Sequence, residues 1–188
     1  MRGRRAFALL QPLIVATGTL LKVLPRAIRV FLFDLFALMP SYLGVGIRYC
    51  LAYSLAKQIG QNVYIGRFCV IRNWESLTIG SNCSIHDYCY LDALGGLTIG
   101  SDVSVAHGSS LLSFDHTYQT RDVPIRDQPL LKLPLTLGDD VWVGAGCRLL
   151  GGVTIHTRVV IAAGAVVTKD VSESLLVGGV PAKMIKRL

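Results

Sequence analysis

The sequence predicts an all-β solenoid, a parallel β-helix that follows an apolar helical segment and is interrupted by one long loop. A six-residue phrase recurs along the chain and is the main evidence for this fold. Aliphatic residues at alternate positions favour extended backbone, and Gly, Asn and Asp favour the turns that close each unit. Antiparallel strands with ordinary turns rarely keep so constant a period. The clearest copies are Leu77-Thr78-Ile79-Gly80-Ser81-Asn82, Leu97-Thr98-Ile99-Gly100-Ser101-Asp102 and Leu135-Thr136-Leu137-Gly138-Asp139-Asp140.

Changes in composition divide the chain. Residues 1–60 lack the repeat and are predicted to be an apolar helical region, whereas residues 61–188 are predicted to form the β-helix domain. The repeat is absent from 111–134, and a long insertion in a regular scaffold is often functional. Residues 172–188 are expected to form a C-terminal tail.

The first sixty residues leave three interpretations open. A basic start and apolar stretches favour interfacial helices, so the region is predicted to associate with a membrane surface. Pro12, Pro25 and Pro40 interrupt segments that are short for a bilayer, which makes a re-entrant or spanning hairpin the second interpretation. The third is a helical cap packed on the β-helix. No convincing cleavage site for a secretory signal follows the basic start.

Net charge and the spacing of the cysteines limit which partners and which metal sites are expected. The 188 residues are 52% hydrophobic and 16% charged, with a net charge of +7 that suits an anionic partner. No nucleic-acid motif accompanies this charge, so no nucleic acid is expected. The five cysteines form no CxxC pair, which favours small buried side chains in a reducing compartment over a zinc site.

One of the four histidines lies in the interrupting loop. His86, His107 and His156 occupy positions of the repeat, where solvated corner residues are expected. His116 instead lies within 111–134, beside Asp115. An imidazole titrates near neutral pH and is suited to general-base work, so His116 is the candidate catalytic residue. Asp115 either orients the ring or solvates the loop.

Three phrases in the second half of the chain carry a family resemblance. Residues 135–146, 162–171 and 178–185 resemble, in order, three motifs of the left-handed β-helix, hexapeptide-repeat acyltransferases. The nearest subgroup is the galactoside, maltose and xenobiotic acetyltransferases, together with the colanic-acid type O-acetyltransferases of capsule and exopolysaccharide synthesis. The resemblance covers about two thirds of the chain, and the left hand of the coil is implied by it alone, because right-handed crossovers are the general rule.

The resemblance implies roles for individual residues. It places His116 at the family's catalytic histidine, and it implies acetyl-CoA as co-substrate, with no metal. His86 and Asp87 fall where saccharide-binding residues lie, Asp115 is counted with them, and Trp142 is expected to form one wall of the cleft. The expected coenzyme-binding residues are Ala145, Ala163, Gly164, Thr168, Lys169, Lys183 and Lys186.

The activity implied is transfer of an acetyl group from acetyl-CoA to a saccharide hydroxyl, in a homotrimer whose sites lie between chains. A cytoplasmic location, peripheral or monotopic on the inner face of a bacterial cytoplasmic membrane, is expected. A γ-class carbonic anhydrase shares the fold but needs three histidines that converge on a metal. A non-catalytic scaffold would need neither the loop nor the C-terminal phrase, and serine acetyltransferases carry a longer, polar helical domain.

Overall fold

The computed structural model describes the backbone of residues 2–188 and the side chains of residues 11–188. Three helices precede the coil: α1 (Arg2–Leu21), α2 (Arg26–Leu35) and α3 (Ser41–Leu55), with a 3-10 turn at Phe36–Leu38. Further 3-10 turns lie at Trp74–Ser76 and Ile125–Asp127.

The rest of the chain coils around three parallel sheets, which we call A, B and C. Sheet A contains β1 (Gln58–Ile59), β4 (Leu77–Ile79), β7 (Leu97–Ile99), β12 (Leu135–Leu137) and β15 (Thr154–Ile155). Sheet B contains β2 (Tyr64–Ile65), β5 (Ser84–Ile85), β8 (Ser104–Val105), β13 (Trp142–Val143), β16 (Val160–Ile161), β18 (Leu175–Gly178) and β19 (Lys183–Arg187). Sheet C contains β3 (Val70–Arg72), β6 (Tyr90–Asp92), β9 (Ser110–Leu112), β14 (Arg148–Leu149) and β17 (Val166–Val167).

Equivalent residues of the repeat lie directly above one another. In sheet A, Ile79 pairs with Ile99 and Ile99 with Leu137, and all three side chains are buried. One aliphatic from each unit therefore fills the interior, as the six-residue period requires. The turn from sheet A to sheet B needs a positive φ, which Asn and Asp tolerate better than most residues. The residues at this position are Asn62, Asn82, Asp102, Asp140 and Arg158, with φ between 54° and 60°.

The long insertion is more regular than the loop of 111–134 expected from the sequence. Leu111 still belongs to a rung, since it pairs with Leu91 and Leu149 and is fully buried. Beyond it, β10 (Phe114–His116) and β11 (Leu130–Lys132) pair as an antiparallel hairpin. The hairpin leaves the coil between sheet C and sheet A, where an insertion does not disturb the rungs.

The C-terminal residues also form regular structure. Strand β18 continues sheet B beside β16, and β19 turns back antiparallel to β18, so that it forms the edge of the sheet. All five residues of β19 are exposed.

Helix α3 covers the first coil, and a buried arginine joins the two. Arg48 is 2% exposed, and its Nε donates to the carbonyl of Ile65 in β2 at 2.9 Å. One of its terminal nitrogens donates to the carbonyls of Phe36 and Met39, at the end of the 3-10 turn. The Tyr49 hydroxyl donates to the carbonyl of Gly60 at 2.7 Å. The helical region is therefore packed as a cap on the β-helix.

The other helices build on this contact. Phe33 of α2 meets Trp74 edge-on, with ring centroids 4.9 Å apart, and both side chains are buried. The Arg29 guanidinium donates to the carbonyl of Ser54 at the end of α3. Helix α1 packs along α3. In the part of the chain that the structure describes, no helix has both the length and the apolar character needed to cross a bilayer.

Replacing Arg48 by Met should lower the free energy of unfolding by about 3 kcal/mol, because one carbonyl of the first coil and two of the cap lose their donor while the apolar stem is kept. Urea unfolding followed by circular dichroism measures this change. Arg158→Met is the matched control, since Arg158 pairs with Asp140 at the surface and should cost less than about 1 kcal/mol. Equal losses in the two variants would contradict the role of Arg48.

Candidate active site

His116 lies at the outer end of β10, where its side chain is exposed. Its backbone pairs with Leu130, and its ring meets the edge of the Phe114 ring at 6.3 Å between centroids. The Asp115 carboxylate accepts a hydrogen bond from the backbone N–H of His116 at 2.8 Å. This bond of Asp115 therefore supports the main chain of the hairpin, and the imidazole of His116 faces solvent.

A buried amide holds the loop beyond His116 in one shape. Gln128 is 6% exposed, and its side-chain nitrogen donates to the carbonyls of Thr120 and Val123 at 2.8 and 2.9 Å. The Thr117 hydroxyl donates to the carbonyl of Pro129 at 2.7 Å, which closes the loop next to His116. Sequence reasoning missed Gln128, because nothing in the loop's composition shows which polar side chain turns inward.

A polar cluster at the base of the hairpin was also missed. Asp92, at the end of β6, is 5% exposed, and its carboxylate accepts bonds from the amide of Asn73 at 2.6 Å and the backbone of Leu94 at 3.1 Å. Its second oxygen accepts a bond from the Tyr90 hydroxyl at 3.2 Å. Burial, followed by the charge of Asp92, raises the pKa of Tyr90. The six-residue repeat is interrupted at 93–96, directly after Asp92, and this interruption is the sequence signal that could have found the cluster.

His86 and Asp87 lie at a different corner, between sheets B and C. The Asp87 carboxylate accepts the backbone N–H of Arg67 at 2.7 Å and pairs with the Arg67 guanidinium at 3.3 Å. Asp139 accepts the same kind of bond from the backbone of Ser101 at another corner, so Asp87, like Asp139, joins neighbouring coils. The exposed ring of His86 lies 5.6 Å from that of Tyr64.

Three expected coenzyme-binding residues continue along the B–C corner. Ala145 and Ala163 occupy the same corner position as Asp87 in later coils, and the N–H of Gly164 donates to the carbonyl of Ala145 at 2.8 Å. Gly164 has a φ of 73°, and a Cβ added there would meet no atom within 4 Å. The outer side of this corner is therefore open to a close-lying ligand.

Cations lie at the C-terminal end of the coil. Thr168 and Lys169 are exposed just after β17, and Lys183 and Lys186 are exposed on β19. The N–H of Ala182 donates to the carbonyl of Val166 in β17 at 2.8 Å, which brings the C-terminal hairpin beside the strand that precedes Lys169. This end of the molecule can hold an anionic group.

Trp142 does not share a face with His116. It lies on the outer side of sheet B, 57% exposed, beside Asp140, Arg158 and Val160 in a shallow cavity of about 430 Å³. The hairpin leaves from the C–A corner, opposite sheet B. One chain therefore does not build a cleft that has both the indole and the imidazole in its walls.

The possible metal ligands and the cysteine thiols in the described part of the chain are the groups that metal or thiol chemistry would use. Among residues 11–188, whose side chains are described, no group of three or more His, Cys, Asp or Glu side chains could hold a metal. Cys69, Cys83, Cys89 and Cys147 are buried, and each thiol donates to a backbone carbonyl of the next coil. Burial raises the pKa of each, that of Cys69 to about 12, so these thiols are poor nucleophiles.

Comparison with known proteins identifies the repeat. Residues 134–169 match the family model described as bacterial transferase hexapeptide (six repeats). A probable acetyltransferase of Mycobacterium tuberculosis is 31% identical over 147 residues, which are 77% of this chain and 49% of that protein. Galactoside O-acetyltransferase of Escherichia coli is 37% identical over 59 residues, 31% of this chain and 29% of the enzyme. The chain spans less than half the length of these curated relatives.

The fold has a close counterpart among solved structures. A hexapeptide-repeat acetyltransferase of Vibrio cholerae, solved with acetyl coenzyme A, superimposes with a TM-score of 0.76 and 25% identity over 85% of each chain. The expectation of a left-handed parallel β-helix with an N-terminal helical extension and one inserted loop is confirmed.

Replacing Asp92 by Asn should lower the pKa of Tyr90 part of the way toward its ordinary value. The negative charge that opposes the phenolate is removed, while the burial that also raises the pKa remains. NMR titration of the labelled Tyr90 ring carbon measures the shift. Asp102→Asn, at an exposed corner, is the control and should leave Tyr90 unchanged. An unshifted Tyr90 in Asp92→Asn would show that the carboxylate does not act on this phenol.

Proposed function

We propose that this chain, a member of the hexapeptide-repeat acyltransferase family, is an acetyl-CoA-dependent O-acetyltransferase that acts on a saccharide hydroxyl in polysaccharide, capsule or exopolysaccharide synthesis. The observation that carries the proposal is the hairpin: the longest interruption of the coil presents an exposed histidine. The likeness to an enzyme solved with acetyl coenzyme A supports the co-substrate. The similarity to a galactoside O-acetyltransferase supports a saccharide acceptor.

The reaction needs one proton acceptor and no covalent enzyme intermediate. His116 takes the proton of the acceptor hydroxyl as the oxygen attacks the thioester carbonyl. The new C–O bond forms, the C–S bond breaks, and the imidazolium returns its proton to the departing thiolate. An imidazole that faces solvent is accessible to an incoming hydroxyl, whereas the raised pKa of the buried thiols excludes them from this step.

The coenzyme is proposed to lie along the B–C corner. Ala145, Ala163 and Gly164 offer open backbone for the pantetheine arm. Thr168 and Lys169 follow β17 of sheet C and therefore lie at the C–A corner, and the phosphate end of the coenzyme is proposed to reach them, with Lys183 and Lys186 adding positive charge. In this arrangement the thioester lies toward the coils that carry Trp142 and His107.

A complete site is proposed to require a second copy of the chain, as in a homotrimer. His116 projects from the C–A corner, whereas Trp142 belongs to sheet B and the residues proposed for the pantetheine arm lie at the B–C corner. Only a neighbouring chain can bring its sheet B to the hairpin. The saccharide acceptor would then lie between two chains. It would be within reach of His116 of one chain and Trp142 of the other, and of His86 and Asp87.

Replacing His116 by Ala should lower kcat by about 10²- to 10⁴-fold, because the proton acceptor is lost. Consumption of acetyl-CoA is measured with a methyl galactoside, and with the corresponding amino sugar to separate O- from N-transfer. The fold should be intact, since the ring is exposed.

His156→Ala is the control for that measurement, because His156 is also exposed but lies at a corner of sheet A. Near-normal turnover in the His116 variant would refute the assigned mechanism. Acetyl transfer to the amino sugar alone would agree with an acetyltransferase activity but would refute the proposed specificity for a hydroxyl.

Residues 1–60 are proposed to bind the cytoplasmic face of a membrane as a peripheral or monotopic element. Packing as a cap and binding to a membrane are compatible, because large apolar side chains on α1, on α2 and in the turn between them remain exposed. The most exposed of them are Leu13, Leu20, Val23 and Phe31, between 63% and 81%. A group of exposed apolar side chains on one region of a protein surface is typical of an interaction site.

The protein should sediment with vesicles that contain phosphatidylglycerol and much less with pure phosphatidylcholine, and added salt should weaken the binding. Lys22→Gln should reduce the affinity roughly fivefold, as expected for about 1 kcal/mol per cation at the surface. Arg126→Gln removes an exposed cation outside this region and should change nothing. Equal recovery in the supernatant with and without vesicles would refute the membrane proposal.

A further inference from the structure

An apolar groove of about 550 Å³ runs between α1 and α3. Leu13, Ile14 and Leu21 of α1 form one wall, and Leu43 and Gly46 of α3 form the other, with Phe36 at one end. Its volume is in the range of ligand pockets, but it offers few polar groups to orient a sugar or a phosphate. The chemistry of the lining suits a hydrocarbon chain.

The groove is fixed by contacts outside it. Arg48 and Tyr49 tie α3 to the first coil, and Arg48 also holds the carbonyl of Phe36. Gly44 lets α3 approach the preceding turn, because a Cβ there would lie 2.1 Å from the carbonyl oxygen of Met39. The α3 wall and the Phe36 end of the groove are therefore formed before any ligand binds, which reduces the ordering cost of binding.

The charge of the chain indicates which lipid would fit. Residues 1–60 contain eight of the 19 Lys and Arg residues but one of the 12 acidic residues, so the whole net charge of +7 belongs to the segment that builds the groove. Residues 61–188 contain equal numbers of each sign. A hydrocarbon groove within a cationic segment is complementary to an anionic lipid.

Exposed apolar side chains surround the mouth of the groove. Leu13, Tyr42 and Leu43 are 65%, 86% and 62% exposed, although each also lines the groove. We propose that the groove holds one acyl chain of an anionic lipid, with these side chains in the membrane interface. The inference rests on the proposed membrane association of residues 1–60 and is independent of the chemistry at His116.

Gly46 provides a test that fills the groove without disturbing the fold. A Cβ added at Gly46 meets no atom within 4 Å, and the residue lies inside α3, where Leu is a better helix former than Gly. Gly46→Leu should therefore keep or raise the melting temperature while its side chain occupies the groove. Ala16→Leu adds the same side chain at an exposed position of α1 outside the groove and is the matched control.

Two measurements on the full polypeptide separate binding of an acyl chain in the groove from binding to the membrane surface. The first titrates dansyl-undecanoic acid, an anionic probe with a hydrocarbon tail, and follows the rise in fluorescence. The second is sedimentation with vesicles that contain phosphatidylglycerol. Gly46→Leu should weaken probe binding about tenfold or more and leave most vesicle binding in place, and Ala16→Leu should bind the probe as the unmodified chain does.

Unchanged probe binding in Gly46→Leu would overturn the proposal and leave the membrane association standing. A chain that binds neither probe nor vesicles would overturn both, whereas acetyl transfer by that chain would keep the proposed enzyme activity. A Gly46→Leu variant that changes its sedimentation velocity but not its probe affinity would assign the groove to a second copy and overturn the lipid proposal.

Discussion

The structure depends on the register between successive coils. Each rung hydrogen-bonds to the rungs above and below it in three sheets, so a residue added within a rung would shift every later pairing. Insertions are therefore confined to corners, where the chain can leave and return without that cost. The hairpin that carries His116 obeys this constraint. Leu111 and Leu135 are both buried in rungs, and the inserted residues lie between them.

Each end of a stacked coil must be protected, because a terminal rung exposes both unpaired backbone groups and the apolar interior. Here α3 covers the first coil. Side chains of α3 donate hydrogen bonds to backbone carbonyls of that coil. Arg48 is the clearest case, since burial lowers the pKa of its guanidinium, and the cost of burial is offset by three carbonyl acceptors. The same residue organises one end of the apolar groove.

The periodic parts of the fold were predictable, and the non-periodic parts were not. The repeat predicted the rungs, the interior residues, the place of the insertion and the position of His116 within it. The antiparallel pairing of β10 and β11 was missed, because the two strands lack the repeat and pair across a loop that contains Pro124 and Pro129 and shows no period. Gln128, Asp92 and Arg48 act through contacts between distant segments, which no local pattern records. The separation of Trp142 from His116 follows from the three-sided cross-section and not from their spacing in the chain.

The fixed rise of the coil determines the distance between the helical cap and the hairpin. The helical cap covers the coil formed by β1, β2 and β3, and the hairpin leaves after β9, two coils further on. Neighbouring parallel strands are spaced about 4.8 Å apart, so the root of the hairpin stands roughly 10 Å beyond the first coil. The number of rungs, and no flexible linker, therefore sets the distance between the helical cap and the hairpin that carries His116.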